Sequence, residues 1–312
     1  MIATVTLNPS LDEWMELLSL QVGKLNRASG FVRYPGGKGI NVSRVIHELG
    51  GRTLAFGLAG GEDGLILREL LNRLCLPHEF VNVEGLTRNN YKIRTRRPRA
   101  LTEINMVGPA ASPAALRSLQ RRVLAHRPRP RCVVLSGSLP PGAAASTYRD
   151  WIIALRKHGI PCILDASGAP LRYGLAARPW MTKPNRQEAE ELLGRSLASL
   201  RAKVAAVQAL ARRGPAVVVL SLGAEGALMA SASWPVVWLG RPPKVKTLSA
   251  VGAGDSLVGG FVSGWANGAS LIEAFRRGLA SGTAAAMTPG TELCHRRDVR
   301  HLLRRVVIRR VA

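Results

Sequence analysis

Short apolar runs alternate with longer amphipathic ones through most of the chain. "IATVTL" (2–7), "TLAFGLAG" (53–60), "CVVLSGS" (132–138), "CILDAS" (162–167), "WMTKPN" (180–185) and "AVVVLSLG" (216–223) are nearly continuous in apolar and β-branched residues, the pattern of buried strands. Between them "DGLILRELLNRL" (63–74), "STYRDWIIALRKHG" (146–159), "RQEAEELLG" (186–194) and "LRAKVAAVQALARRG" (200–214) carry a helical period. This alternation predicts a doubly wound α/β protein: a mostly parallel sheet with helices on both faces. In such sheets ligands gather beyond the carboxyl ends of the strands.

Two stretches, 12–34 and 87–108, break the alternation and have no clean helical period. In "RNNYKIRTR" (88–96) Arg88, Lys92, Arg94 and Arg96 share one parity while Tyr91, Ile93 and Thr95 take the other, so the segment reads as a strand with one cationic face. The two stretches are expected to pair into a small β lid (12–34 and 87–108) on an α/β core formed by 1–11, 35–86 and 109–312. No internal repeat, low-complexity tract or long linker is visible in the sequence.

Two helices open on glycines. In "YPGGKGINVSRVIHELGG" (34–51) Val42, Val45, Ile46 and Leu49 make one apolar stripe and Gly50-Gly51 supply the stop, so the first glycines sit at a helix N-terminus. Free backbone N–H groups and the helix dipole there favour an anion or a polar ligand. The spacing is not that of a P-loop, because Lys38 is followed by Gly39 and position 32 is Val32, and the dinucleotide-binding glycine pattern is absent too. The residues alone leave open a phosphate cradle, a sugar-binding turn, or a tight turn without a ligand. The second stretch, "TLSAVGAGDSLVGGFVSGW" (247–265), runs through Gly252-Ala253-Gly254-Asp255 into a stripe of Leu257, Val258, Phe261, Val262 and Trp265. Asp255 could simply cap this helix. Alternatively, stacked N–H groups stabilise charge on a transferred phosphoryl group while the adjacent carboxylate accepts a hydroxyl proton, a division of labour that suits phosphoryl transfer.

Composition narrows the classes. A chain of 312 residues, 46% apolar, can bury a large core. No apolar stretch approaches the roughly 20 residues of a membrane span, and "MIATVTLNPS" has no charged leader region. A soluble cytoplasmic protein without membrane contact is expected. Cys75, Cys132, Cys162 and Cys294 lie far apart, so neither a zinc site nor a disulfide framework is expected, and Cys132 and Cys162 read as buried thiols. The formal net charge of +24 is the outlier. It would suit a polyanion, but no stacking aromatics interleave with its densest run, "HRRDVRHLLRRVVIRR" (295–310), so nucleic acid is not an expected partner. There Val299, Leu302, Leu303, Val306 and Val307 keep helical spacing and predict an amphipathic terminal helix with a solvated basic face. An anionic small-molecule substrate would also give positive charge a use.

The series "TLNPSLD" (6–12), "PGGKGIN" (35–41), "SGSLPPG" (136–142), "TKPNRQEAEE" (182–191), "SLGAEGA" (221–227) and "VGAGDS" (251–256), in this order over essentially the whole chain, resembles the ribokinase-like (PfkB) sugar kinases. With "KLNRA" (24–28) and "TEIN" (102–105) it is most similar to the phosphosugar branch of 1-phosphofructokinase, tagatose-6-phosphate kinase and the minor 6-phosphofructokinase. The resemblance implies an ATP- and magnesium-dependent kinase of a ketohexose phosphate, with fructose 1-phosphate giving fructose 1,6-bisphosphate and with tagatose 6-phosphate and fructose 6-phosphate as rival acceptors. The alternative of another class, motivated by the +24 charge, is a polyanion-binding protein on a kinase fold.

Residue by residue, the resemblance makes Asp255 the base and Gly252, Ala253 and Gly254 the anion hole. Asp12, Gly37 and Asn41 would hold sugar hydroxyls, Lys38 would stand at the edge of that turn, and Ser138 would lie on the substrate side. Arg27 and Arg88 match phosphate-binding positions. Asn185 and Glu188 would organise magnesium and the ATP phosphates with Lys183 nearby, and Ser221, Gly223 and Gly226 match the nucleotide-side loop. Lys24 could serve the phosphate or be a solvated strand-edge lysine, and Arg94 and Arg96 are expected to be solvated. Thr288 and Pro289 depart from the pattern on the adenine side. An exposed lid sheet has edges to protect, which a homodimer through the lid would do.

Overall fold

A computed structural model describes residues 1–234 and 236–312. Its strands in chain order are β1 (Ile2–Thr6), β2 (Ser10–Leu17), β3 (Gly30–Gly36), β4 (Thr53–Ala59), β5 (His78–Asn82), β6 (Arg88–Arg96), β7 (Arg99–Asn105), β8 (Cys132–Ser136), β9 (Cys162–Asp165), β10 (Met181–Thr182), β11 (Val217–Ser221), β12 (Ala227–Ser231), β13 (Val237–Arg241) and β14 (Val307–Arg310). The helices are α1 (Lys38–Glu48), α2 (Gly61–Arg73), α3 (Pro113–Ala125), α4 (Thr147–Lys157), α5 (Gly168–Ala176), α6 (Arg186–Leu193), α7 (Leu200–Ala211), α8 (Ala253–Ala266), α9 (Leu271–Ala286) and α10 (Arg296–Leu303).

The predicted apolar runs pair into a ten-stranded sheet in the order β14-β13-β12-β11-β10-β9-β8-β1-β4-β5. It is parallel from β5 to β11 and antiparallel from β11 to β14. Alternate residues of one strand serve opposite faces. Val133 and Leu135 of β8 pack with Tyr148, Trp151 and Ile152 of α4, while Cys132 and Val134 join Val42, Val45 and Ile46 of α1 and Val258, Phe261 and Val262 of α8. Both faces are therefore dry, which is why these strands carry almost no polar residue. The irregular stretches form a second, four-stranded sheet in the order β3-β2-β6-β7. No helix among the described residues is long and apolar enough to cross a membrane.

Two expectations need correction. The C-terminal tail is not one helix. α10 stops at Leu303, Val306 turns into the core, and Val307–Arg310 become β14 on the edge of β13. The β-branched run Val306-Val307-Ile308 favours strand, and the open backbone edge of β13 supplies the hydrogen bonds, so pairing prevails over a spacing that continues the helical period. The "WMTKPN" run contributes a strand of only two residues, because Pro184 ends it and Asn185 begins the cap of α6.

Candidate active site

Several chains of local logic end at one place. Ser136, Asp165 and Ser221 are the last residues of β8, β9 and β11, and Lys183 follows β10, so all four stand at carboxyl ends of the main sheet. Gly37 caps α1 at φ 113°, a conformation that favours glycine, and a Cβ there would come within 2.7 Å of Thr6 Cγ2 at the end of β1. The first glycine turn is thus pressed against the sheet's carboxyl edge. Gly252, at φ 78°, turns the chain into α8 and leaves Asp255 in its first turn.

A cleft of about 1300 Å³ opens between this edge and the small sheet. Asp12, Gly37, Lys38, Asn41, Arg88, Ser138, Lys183, Asn185, Ser221, Gly223, Gly226, Gly252, Ala253, Gly254 and Asp255 all line it. Two of the expected residues, Arg27 and Glu188, do not, and neither does Lys24, for which a solvated position stood equally open. Lys24 and Arg27 are exposed on the loop that joins β2 to β3, and neither lines the cleft. Glu188 turns back to accept from the Asn185 backbone N–H (2.8 Å) while the Asn185 side chain accepts from the Glu188 N–H (2.9 Å), a capping box for α6. Arg94 and Arg96, expected to be solvated, stand 3.7 Å and 3.4 Å from Glu16 across the strand pair. Thr288 is buried, its hydroxyl donating to the carbonyls of Ala285 and Leu293, and so it belongs to a turn and not to the cleft wall.

Asp255 is buried, and Asn41 Nδ2 donates to its Oδ2 at 2.8 Å. Burial pushes its carboxyl above the ordinary aspartate range, with Asp165 adding to the rise and Lys38, Asn41 and Lys183 opposing it. Asp165 is the converse. Burial alone would raise it, but Lys183 at 3.3 Å and Lys38 at 3.9 Å, together with a hydrogen bond from Ser136, hold it below its ordinary value. Lys38 in turn is held protonated, chiefly by Asp165 and further by Asp255 and Glu188. Two carboxylates with shifts of opposite sign thus act on one lysine.

On the small-sheet side Asp12 is buried and receives hydrogen bonds from Lys92 Nζ (3.0 Å), Ser10 Oγ (3.0 Å) and Asn90 Nδ2 (3.3 Å). Arg88 donates through Nη2 to the Asn8 carbonyl (3.1 Å) and through Nη1 to that of Met106 (3.2 Å). Sequence reasoning put Lys92 on a cationic face without giving it a place in the site, and it missed Asn8, Asn90 and Asp165. The signal was present for Asn90 and Lys92, which share parity with Arg88. Asp165 was a lone acid closing an apolar strand.

Among the described residues no three carboxylate, histidine or cysteine side chains converge on one point. A magnesium ion that travels with phosphate oxygens needs only one or two carboxylates; Asp165, 3.9 Å from Lys38, and Glu188, the capping carboxylate of α6, would supply them only from behind the cleft wall.

A buried carboxylate in the first turn of a glycine-led helix, with Lys38 and Lys183 lining the same cleft, is an arrangement suited to phosphoryl transfer to a hydroxyl. The chain belongs to the pfkB family of carbohydrate kinases, whose sequence model matches residues 5–297. It is 38% identical to the 1-phosphofructokinase of Escherichia coli K12 over 264 residues, covering 84% of this chain and 83% of that one. It is 35% identical to the ATP-dependent 6-phosphofructokinase isozyme 2 of Mycobacterium tuberculosis H37Rv over 300 residues, covering 96% and 87%. Among solved structures, phosphofructokinase-2 from Escherichia coli in complex with potassium superposes with a TM-score of 0.92 at 36% identity, over 97% of this chain and 98% of that one.

Proposed function

We propose that the protein transfers the terminal phosphoryl group of ATP to fructose 1-phosphate, giving fructose 1,6-bisphosphate. The observation that carries this reading is the joining in one cleft of Asp255 with a cationic small-sheet wall. Relatives named 1-phosphofructokinase and ATP-dependent 6-phosphofructokinase isozyme 2 support a hexose phosphate as acceptor. Tagatose 6-phosphate and fructose 6-phosphate are the rival acceptors.

In this mechanism the sugar lies against Asp12, Gly37 and Asn41, with Ser138 and Arg88 toward its phosphate. Asp255 takes the proton of the attacking hydroxyl as its oxygen bonds to the γ-phosphorus and the bridging P–O bond to ADP breaks. The N–H groups of Gly252, Ala253 and Gly254 and the ammonium groups of Lys38 and Lys183 meet the charge on the moving phosphoryl group. Ser221, Gly223 and Gly226 hold the nucleotide side. Magnesium, when bound, neutralises the phosphate oxygens, and Asn185, Glu188 and Asp165 are the residues that would hold it through the phosphates.

The small sheet, residues 12–34 and 87–108, acts as a lid over the core, and its closure excludes water that would compete for the phosphoryl group. Arg27, outside the cleft, meets the phosphate only if its loop folds inward or a second copy supplies it. A coupled ADP-release assay with magnesium-ATP against fructose 1-phosphate, fructose 6-phosphate, tagatose 6-phosphate, fructose and ribose tests the proposal. A kcat/KM preference for fructose 1-phosphate supports it, and turnover of free sugars alone overturns it.

A further inference from the structure

Asp12 and Lys92 are opposite charges, each 4% exposed, on the wall of the cleft. They are not direct cross-strand neighbours. In the parallel β2–β6 register Asp12 faces Asn90 and Trp14 faces Lys92. The lysine chain therefore leans along the sheet, over the Trp14 ring at 5.6 Å, to bring Nζ within 3.0 Å of Asp12 Oδ2. A buried ion pair is a poor way to stabilise a sheet, since apolar side chains of similar volume avoid the desolvation of two charges. Its presence on a cleft wall asks for a use.

The surroundings supply one. Asn8 Oδ1, Asn90 Oδ1 and Arg88 Nε are buried without a hydrogen-bond partner, and all three residues line the cleft beside the pair. Buried polar atoms left in this state are complementary to a polar ligand. The charge on Asp12 also reaches Arg88: burial lowers the guanidinium pKa, and Asp12 opposes that fall. Left unpaired, Asp12 would cancel the charge of Arg88 and repel a dianionic acceptor. Paired with Lys92 it is neutral overall, which leaves Arg88 free for a phosphate and one face of Asp12 free for a hydroxyl.

Resting on the function proposed above, we infer that Lys92 is a positioning residue that sets the acceptor class, since by compensating Asp12 it lets the sugar end of the cleft accept a phosphorylated ketose. The inference predicts a charge-specific defect. In the full-length protein Lys92→Met should raise the KM for fructose 1-phosphate about 10- to 100-fold, the size of losing a charge-assisted contact. The KM for magnesium-ATP and the inhibition constant of free fructose should move far less. Adding Asp12→Asn to Lys92→Met removes the stranded carboxylate and should bring the fructose 1-phosphate KM back below that of the single variant, which a loss of packing alone would not do. Lys92→Arg, which keeps the charge, covers the case in which the methionine variant fails to fold and should retain the preference for phosphorylated sugar. An equal loss for fructose and fructose 1-phosphate, or no recovery in the double variant, overturns the inference. A wild-type enzyme that ignores phosphosugars overturns the proposed function instead, and the two failures are distinguished by the wild-type panel.

Discussion

Asp255 lines the cleft and Asp165 lies buried behind Lys38 and Lys183, with opposite consequences for stability. Asp165 has its carboxyl held below the ordinary value, so its ionised form is favoured by folding. Its contribution is complete above the unfolded aspartate pKa of about 3.9 and is lost as pH falls through the lower folded value. Asp255 has its carboxyl raised, so ionising it works against folding, and that penalty sets in as pH rises from about 3.9 through its folded pKa. Asp165→Asn leaves Lys183 buried without its partner and should destabilise the protein by about 3–5 kcal/mol at neutral pH. Asp255→Asn should instead raise the melting temperature at neutral pH, as expected where a site holds a residue for chemistry and not for stability. Thermal melts of the two variants at pH 7 test the pair, and a stabilised Asp165→Asn or a destabilised Asp255→Asn would remove this assignment of roles.

At the scale of elements, α1 was legible because glycines, an apolar stripe at helical spacing and a stop agree there, and α8 because glycines lead into such a stripe. The central parallel strands were legible because burial on both faces removes polar residues from them. The edges were not. β12, β13 and β14 are short antiparallel strands whose sequences do not alternate cleanly, and the tail's apolar spacing fitted a helix as well as a strand until the edge of β13 offered a partner. On β6, parity grouped Arg88, Lys92, Arg94 and Arg96, but whether a cation on that face meets the cleft or solvent depends on how far along the strand it sits. Asp165 acquires its role only from Lys38 and Lys183, which tertiary folding brings to it.

The small sheet also carries exposed Phe31, Val32, Leu101 and Ile104, with Leu20, Val22 and Leu25 on its loop. An exposed apolar surface of this kind on a sheet with open edges is suited to a second copy of the chain. Sedimentation velocity should find a homodimer that Phe31→Asp combined with Leu101→Asp dissociates. A wild-type monomer at micromolar concentration would exclude this interface.

For the whole molecule, the topology gathers residues from both ends of the chain, because carboxyl ends of parallel strands share one edge of the sheet. Asp12 and Asn41 come from the first glycine helix and the strands before it, Lys183 from the middle, and Ser221 and Asp255 from the last third. The formal net charge of +24 gives the whole molecule the sign that attracts phosphorylated substrates. The account depends most on Asp255 as the proton acceptor. The measurement that tests it most directly is steady-state turnover of Asp255→Asn beside the wild type, with saturating magnesium-ATP and fructose 1-phosphate. General-base loss predicts a fall in kcat of about 10²- to 10⁴-fold with both KM values little changed. Near-normal turnover in the variant would contradict the account.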